Sequence, residues 1–412
     1  MARDGHSAGH LLDHVRSGRA TTRGELVRLT GLARSTVAHR VDRLLDAGVL
    51  RESAGAPAAG AGRGRPADRL AFAEDRGLVV VAGLHRDRAD LAVLDLGGRV
   101  LVRRAVPVLV EDGPDVVLAV VEEQVQALVA EVAAGWDPVV AVAVGVPGPV
   151  DVVTGRVMQP PVMPGWHDHP VRDRLAERFD VPVFVENDAN LMALGEQRVH
   201  WPTAPSLVLV KVDSGVGAGI VLGGRLYRGV DGGAGDIGHI RMHGHEERCR
   251  CGAVGCLAAV VSAGAIVRRL ADAGKQVDGR AVSGTADLLR LVQGGDTDAV
   301  AAVRAAGQHA GEVLTTVVSV VNPEILVLAG DMAHTHGHFV TGLREVVYQR
   351  SLPRATRSLR LVTTKLGDTA TLLGAVELVL DAAFAPDAVD DALAGRPSVI
   401  RLPRPTAAAG PR

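Results

Sequence analysis

Short apolar runs alternate with longer helical stretches through most of this chain, from Gly77 to about residue 384. The apolar runs lie at 78–84, 90–96, 139–146, 181–185, 206–212, 218–222 and 324–329. Apolar residues make up 47% of the 412 residues but aromatic residues only 2%, so the core must be built from Val, Leu and Ala. The alternation predicts an α/β fold in which helices cover the sheets. The turn signal at 95–98 predicts a hairpin between the first two of these strands.

A helix-turn-helix is predicted near the N-terminus, where residues 7–50 have helical character. Thr22 and Glu25 have the spacing of a capping box, which would begin a short helix that ends near Gly31. A second helix is predicted at about 33–47. Its apolar side chains repeat at helical spacing and would form one buried face: Val37, Val41, Leu44 and Leu45.

The opposite side of this second helix carries small polar and cationic side chains, which suit the major groove of DNA. They are Arg34, Ser35, Thr36, His39, Arg40 and Arg43. A wing strand is predicted to begin at 49–51, and Arg63 and Arg65 beyond it would enter the minor groove. Residues 1–70 hold twelve arginines and seven acidic residues, a net charge of +5 against −7 for the remainder. Two alternatives stay open: a helical hairpin with a solvated charged face, and a disordered linker at 54–66.

The cysteines of the chain fall close together, at Cys249, Cys251 and Cys256. Three thiols at this spacing, in a chain without a disulfide framework, indicate a metal site. His239 lies ten residues before the first thiol and would complete a Cys₃His set, the closed four-ligand kind that zinc takes in structural sites. The alternative is three unrelated buried thiols.

Several motifs together resemble the ROK family (repressors, open reading frames and kinases). The joined motif GDIGH at 235–239 and CRCGAVGCL at 249–257 carries the resemblance most specifically. The match extends to four further segments, at 145–149, 164–166, 186–190 and 214–219. The resemblance covers roughly residues 77–384. Because the predicted helix-turn-helix precedes this region, the chain resembles the regulators of the family more than its stand-alone kinases.

The resemblance implies a two-lobed actin-like or hexokinase-like (ribonuclease H-like) sugar-kinase fold behind an N-terminal winged helix-turn-helix domain. A sugar would lie in the cleft between the lobes, and the protein would form a homodimer or tetramer. Asn187 and Asp188 match the pair that hydrogen-bonds the sugar, and in the kinases this Asp is the catalytic base. Asp236, where the family usually has Glu, and His239 match two further sugar-binding positions. The implied ligands of a structural zinc ion are His239, Cys249, Cys251 and Cys256.

Two departures from the kinases of the family favour a sensor over an enzyme. The segment 81–86 (VAGLHR) lacks the Asp and the Gly pair of a phosphate-binding loop, and phosphoryl transfer depends on such positioning. Ala258 stands where those kinases carry a sugar-binding Glu. We therefore expect no enzyme but a DNA-binding transcriptional regulator, a repressor of carbohydrate metabolism genes controlled by a sugar or sugar phosphate. Because Asp188 and the glycine-rich loop 214–219 remain, an ATP-dependent sugar kinase with an accessory DNA-binding domain is the alternative.

The sequence divides into three predicted regions. Residues 1–72 would form the winged helix-turn-helix domain with its wing and linker, 73–384 the effector-binding and oligomerisation domain with the zinc loop, and 385–412 a loose, disordered tail. The N-terminus has no apolar leader, and the apolar runs are too short to cross a bilayer, so a cytoplasmic protein without membrane contact is expected. The expected partners are an operator of double-stranded DNA and a small-molecule effector.

Overall fold

The computed structural model describes residues 6–53, 68–133, 135–136 and 138–396. The N-terminal part of the described chain, called the head, consists of helices followed by an antiparallel strand pair. Its elements are α1 (Ala8–Arg16), α2 (Arg23–Thr30), α3 (Arg34–Asp46), β1 (Leu50–Ser53) and β2 (Arg69–Phe72). The two helices on either side of Gly31, and a strand that begins at Leu50, therefore lie where the sequence predicts them. Arg63 and Arg65 lie outside the described residues.

The capping of α2 explains how the head begins its helix-turn-helix. The Thr22 hydroxyl accepts a hydrogen bond from the backbone N–H of Glu25 at 3.2 Å. The Glu25 carboxylate accepts from the backbone N–H of Thr21 at 2.7 Å, one residue before the position that a capping box would use. Gly31 ends the helix in the left-handed region, with φ of +69°. This turn sets the direction of α3, whose Val37 and Leu44 are buried in the head.

The first lobe is built on a sheet with the strand order β5–β4–β3–β6–β9. Its elements are β3 (Leu78–Leu84), β4 (Arg88–Asp95), β5 (Val100–Pro107), α4 (Pro114–Val132), β6 (Val139–Val146), β7 (Val150–Asp151), β8 (Arg156–Val157), α5 (Val171–Phe179) and β9 (Val183–Asn187). Every residue of β3 and β6 is buried, as the continuous apolar runs predict for strands covered on both faces. The prediction of a hairpin at 95–98 between the first two strands is wrong by one strand, because this turn joins β4 to β5.

Helix α6 (Asp188–His200) follows the first lobe and leads into the second, whose sheet has the order β12–β11–β10–β15–β16. Its elements are β10 (Ser206–Val212), β11 (Val216–Leu222), β12 (Arg225–Leu226), α7 (Leu257–Val261), α8 (Ala263–Asp272), β13 (Gln276–Val277), β14 (Arg280–Ala281), α9 (Thr285–Gln293), α10 (Thr297–Val321), β15 (Ile325–Ala329), α11 (His338–Arg350), α12 (Pro353–Thr356) and β16 (Arg360–Thr363). In both sheets the first three strands of each lobe pair antiparallel and the last two pair parallel. This duplication confirms the predicted two-lobed, ribonuclease H-like architecture.

Helix α13 (Thr369–Ala383) packs on the sheet of the first lobe, whereas α6 packs on that of the second, and the two helices cross. Glycines make the crossing close. A Cβ on Gly374 would lie 1.8 Å from the Leu191 carbonyl oxygen, and one on Gly195 would lie 2.2 Å from that of Ala370. The lobes are therefore joined through direct backbone contact.

The prediction of a loose tail from residue 385 is wrong for its first part. Residues 386–393 form α14 (Pro386–Leu393), which packs on α1 of the head. The backbone N–H of Gly9 donates to the Asp390 carboxylate at 3.0 Å. The prediction failed because α14 is short and owes its stability to α1, a partner far away in sequence. Residues 397–412 lie outside the described part of the chain.

The head shares one apolar core with the first lobe and the C-terminal helices. Leu12 and Leu44 of the head belong to the same buried cluster as Leu94 and Leu380. Two ion pairs reinforce this contact at Asp381 of α13, which binds Arg16 of α1 at 2.9 Å and Arg198 of α6 at 2.7 Å. The head is thus docked on the body. Among the described residues, the structure contains no helix long and apolar enough to span a bilayer.

Replacing Gly374 by Ala is expected to lower the free energy of unfolding by about 1–3 kcal/mol, because the added methyl group would overlap the backbone of α6. Chemical denaturation of the full chain, followed by circular dichroism, measures the change. Gly24→Ala is the matched control, since Gly24 is also helical but has open space around it, and no loss is expected there. Equal losses in the two variants would contradict the close packing of α6 on α13.

Candidate functional site

A cavity of about 880 Å³ opens between the two lobes. The first lobe contributes the turn after β3, the segment 147–149 and the N-terminus of α6. The second lobe contributes the glycine-rich loop 213–218, the segment 232–239 and the cysteine loop. A cavity of this size lies in the range of small-molecule sites. Asn187, Asp188, Asp236 and His239 line it together, as a sugar-binding role requires.

Asn187 and Asp188 stand where β9 ends and α6 begins. The Asn187 carboxamide oxygen accepts from the backbone N–H of Asn190 at 3.2 Å and caps the helix, while its Nδ2 donates to the Gly148 carbonyl at 3.1 Å. Glu186, only 2% exposed, precedes this pair and accepts from Arg228 Nε at 2.6 Å. Because Arg228 belongs to the second lobe, this buried ion pair ties the two walls of the cleft together.

Asp188 is held in an ion pair that the sequence analysis missed. Lys211 Nζ of β10 lies 2.6 Å from Asp188 Oδ2 and 3.0 Å from Asp213 Oδ2. Although burial disfavours the charged ammonium, the two carboxylates hold the pKa of Lys211 above its usual range. Lys211 is one of three lysines in the chain and interrupts an apolar strand, which is the signal that could have found it.

The other carboxylates at the floor of the cleft are also constrained. The backbone N–H of Asp331 donates to Asp213 Oδ1 at 2.5 Å. Burial, together with the charge of Asp213, raises the pKa of Asp331 to about 6. In the turn after β3, His85 Nε2 lies 3.1 Å from Asp90 Oδ2. Although burial opposes ionisation of Asp90, the hydrogen bond and charge of His85, with two arginines behind it, lower the pKa of Asp90 to about 2.

Four side chains of the second lobe converge on one point. The ligand atoms of His239, Cys249, Cys251 and Cys256 all lie within 4.8 Å of one another. Cys251 Sγ lies 3.7 Å from Cys256 Sγ, and Cys249 Sγ lies 3.6 Å from His239 Nδ1. Zinc–sulfur bonds of about 2.3 Å in a tetrahedron place the ligand atoms about 3.8 Å apart. The cluster therefore fits a tetrahedral metal ion, and the predicted ligand set is brought together.

His239 links the metal cluster to the cleft. Its Nδ1 faces Cys249, while its Nε2 lies 3.9 Å from Asp236 Oδ1. The Asp236 side chain is 48% exposed and lines the cavity. One imidazole ring can thus hold a metal ion with one nitrogen and present the other to a ligand, as second-sphere contacts of metal sites commonly do.

The predicted DNA-reading side chains differ in their surroundings. Arg34, Ser35 and His39 are exposed on α3, and Thr36 is half-buried. Arg40 donates to the His6 carbonyl, and Arg43 donates to the Leu393 carbonyl of α14 at 3.0 Å. The N-terminal turns of α3 therefore present an open polar surface, whereas its last turn is engaged with α14.

A comparison with known proteins gives the family. The ROK family model matches residues 83–382. The chain belongs to the ROK family. The ROK chain is 25% identical to the xylose repressor of Caldicellulosiruptor bescii, over 90% of its own length and 94% of that protein.

Two solved ROK structures show the same fold over different lengths. A ROK family transcriptional regulator, a homologue of the E. coli Mlc protein, matches with a TM-score of 0.78 and 28% identity, covering 92% of this chain and 96% of that one. A ROK glucokinase from Streptomyces griseus, in complex with glucose and AMPPNP, matches with a TM-score of 0.62 and 27% identity, covering 73% of this chain and 99% of that one. A match over 92% of the chain must include part of the head, whereas 73% corresponds in length to the lobes alone. The predicted fold is confirmed.

Proposed function

We propose that this ROK protein is a DNA-binding transcriptional regulator, a cytoplasmic repressor of carbohydrate metabolism genes that a sugar or sugar phosphate controls. The observation that carries the proposal is a helix-turn-helix head built into the same fold as a sugar-kinase-like cleft. The relatives that match over 90% or more of the chain, and so over part of the head, include a xylose repressor and a transcriptional regulator. The glucokinase matches over a length equal to the lobes, which favours regulation over catalysis.

The proposed DNA-reading surface is the N-terminal part of α3. Arg34, Ser35 and His39 are exposed there, and such side chains can approach base edges in the major groove. Arg43 already donates to a backbone carbonyl, so we expect it to contribute less than Arg34. A homodimer or tetramer would carry paired heads, which would read a palindromic operator with half-sites about 34 Å apart or a multiple of it.

The route from ligand to DNA would run along α6. Its first residue, Asp188, lines the cleft, and Arg198 near its end binds Asp381 at 2.7 Å. Asp381 also binds Arg16 of α1 in the head. A ligand that changes how the lobes close would therefore move the support of the head. A coupling of about 1–3 kcal/mol changes operator affinity by 5- to 150-fold, which suffices for regulation.

We propose that the ion of the Cys₃His cluster is a structural zinc. Its four ligands leave no open position for substrate, and zinc supplies a fixed crosslink when bound. Cys256 precedes α7, and Cys249 and Cys251 belong to the loop that lines the cleft. Zinc would therefore hold His239 in its orientation beside the ligand.

We further propose that the protein is not a sugar kinase. Asp188, the residue that would act as the base, has its Oδ2 2.6 Å from Lys211 Nζ, so this oxygen already has a hydrogen-bond donor and does not face the cleft alone. The segment 81–86 supplies no carboxylate for Mg²⁺, and His85 is bound to Asp90. These contacts favour ligand binding without phosphoryl transfer.

Arg34→Ala in the full chain is expected to weaken operator binding about tenfold, since an arginine–base contact contributes about 1–3 kcal/mol. The duplex would be selected by the full chain from a random-sequence library, with affinity followed by fluorescence anisotropy. Arg354→Ala, exposed on α12 and away from the head, is the control and should leave the affinity unchanged. Failure to enrich any sequence would contradict the proposal, and equal affinities of both variants would remove Arg34 from the reading surface.

Cys256→Ser is expected to lower the zinc content well below one ion per chain, because a serine hydroxyl is a much poorer zinc ligand than a thiolate and only three of the four protein ligands remain. Elemental analysis of the purified full chain should give about one zinc ion per chain before the change. A chelator should lower the melting temperature of the unaltered protein, since metal binding stabilises the folded state. His243→Ala, an exposed histidine of the same segment, is the matched control and should retain the metal. Equal zinc contents in all three proteins would exclude this site.

No sugar-dependent formation of ADP is expected when the protein is incubated with Mg-ATP and a panel of hexoses. The reason is that the segment 81–86 lacks the carboxylate and the Gly pair of a phosphate-binding loop, while Lys211 occupies Asp188 Oδ2. A coupled assay for ADP, run beside an authentic ROK glucokinase, makes the measurement. Sugar-dependent turnover that Asp188→Asn abolishes would instead establish the kinase.

A further inference from the structure

Guanidinium groups from both lobes line the cleft, and the charges of Arg86 and Arg268 both act on that of Arg250. Arg86 belongs to the turn after β3 in the first lobe. Arg250, between Cys249 and Cys251, and Arg268, on α8, belong to the second lobe. Neither the DNA-reading surface nor the predicted sugar-binding set uses these three side chains, which we call the arginine cluster.

The arginine cluster has fewer carboxylate partners than it has positive charges. Arg86 pairs with Glu111 at 2.9 Å. In the described part of the chain, no carboxylate lies within 4.0 Å of Arg250 or Arg268. Of the other cations that line the cavity, Lys211 has Asp188 and Asp213, and Arg88 has Asp368 at 2.7 Å. Arg248, like Arg250, has no carboxylate within 4.0 Å in the described part of the chain. A zinc ion with three thiolates would add a single negative charge, so three cations would still face two anions.

The arginine cluster lies next to the predicted sugar site. Cys249, the neighbour of Arg250 in sequence, lies 3.6 Å from His239. The cavity, at about 880 Å³, has room for more than a hexose. Guanidinium groups bind phosphate oxygens through paired, charge-assisted hydrogen bonds, which a neutral sugar cannot provide.

We propose that the arginine cluster binds the phosphoryl group of a ligand in the cleft. Repulsion between Arg86 and the arginines of the second lobe opposes closure, and a dianion between them replaces it with attraction from both sides. The phosphoryl group can belong to a sugar phosphate or to a nucleotide. The proposal deepens the proposed function, on which it rests for the link to DNA, but phosphoryl binding itself is measurable without DNA.

The experiment is a titration of the zinc-loaded full chain by calorimetry with matched probes. They are glucose, glucose 6-phosphate, N-acetylglucosamine, N-acetylglucosamine 6-phosphate, inorganic phosphate, adenosine and ATP without Mg²⁺. We expect a phosphorylated probe to bind at least tenfold more tightly than its neutral counterpart or, for ATP, than adenosine. Arg86→Ala and Arg268→Ala should each weaken that binding about ten- to a hundredfold, as expected for the loss of a charge-assisted hydrogen bond. Arg354→Ala is the matched control and should have no effect.

The outcomes separate the two sources and the two proposals. Tight binding of a sugar phosphate but not of ATP identifies the sugar as the source, and the reverse identifies a nucleotide; either supports the site. Phosphorylated probes that bind no better than neutral ones, or that bind both cleft variants as tightly as the unaltered protein, overturn it. Zinc analysis of each variant confirms an intact loop. Absence of operator binding in an anisotropy assay would defeat the proposed function while leaving a measured phosphoryl site in place.

Discussion

The crossing of α6 and α13 is the contact on which the rest of the molecule depends. Each helix lies on the sheet of a different lobe, and glycines let their backbones touch at Gly195 and Gly374. The N-terminus of α6 holds Asp188 in the cleft, while its C-terminal turn places Arg198 against Asp381. Close-packed interfaces resist gradual deformation. A movement at the cleft is therefore passed on as a displacement of whole helices.

The head has no separate core of its own. Its buried leucines join a cluster that continues into the first lobe, and Phe72 of β2 packs edge to face on Phe384 with ring centroids 5.0 Å apart. Arg16 and Arg43 add polar contacts to Asp381 and to the Leu393 carbonyl. If the head were attached only by a flexible linker, its orientation would not depend on the conformation of the cleft. A docked head takes its orientation from the body, which is what a ligand-controlled DNA-binding protein requires.

Features with local signals could be predicted from the sequence, and features that depend on distant partners could not. Periodicity places α3, and the spacing of the thiols places the metal cluster, because both depend on neighbouring residues. The Asp188–Lys211 pair joins different elements, and nothing in either segment specifies the other. Helix α14 has only a short apolar pattern, and it is stabilised by packing on α1. The two helices are far apart in sequence: Gly9 and Asp390, which are hydrogen-bonded, are separated by 381 positions. The engagement of Arg43 follows from the same long-range packing.

The docking of α14 on α1 has a consequence for biosynthesis. Residues 386–393 leave the ribosome after both lobes, yet they cover a helix made before either lobe. The head therefore completes its packing only when translation has passed residue 393. A polypeptide cut short before Pro386 would expose the apolar side of α1, including Leu12, and would be open to proteolysis. The fold in this way couples completion of the head to completion of both lobes. Under the proposed function, incomplete products would then not occupy an operator as unregulated repressors.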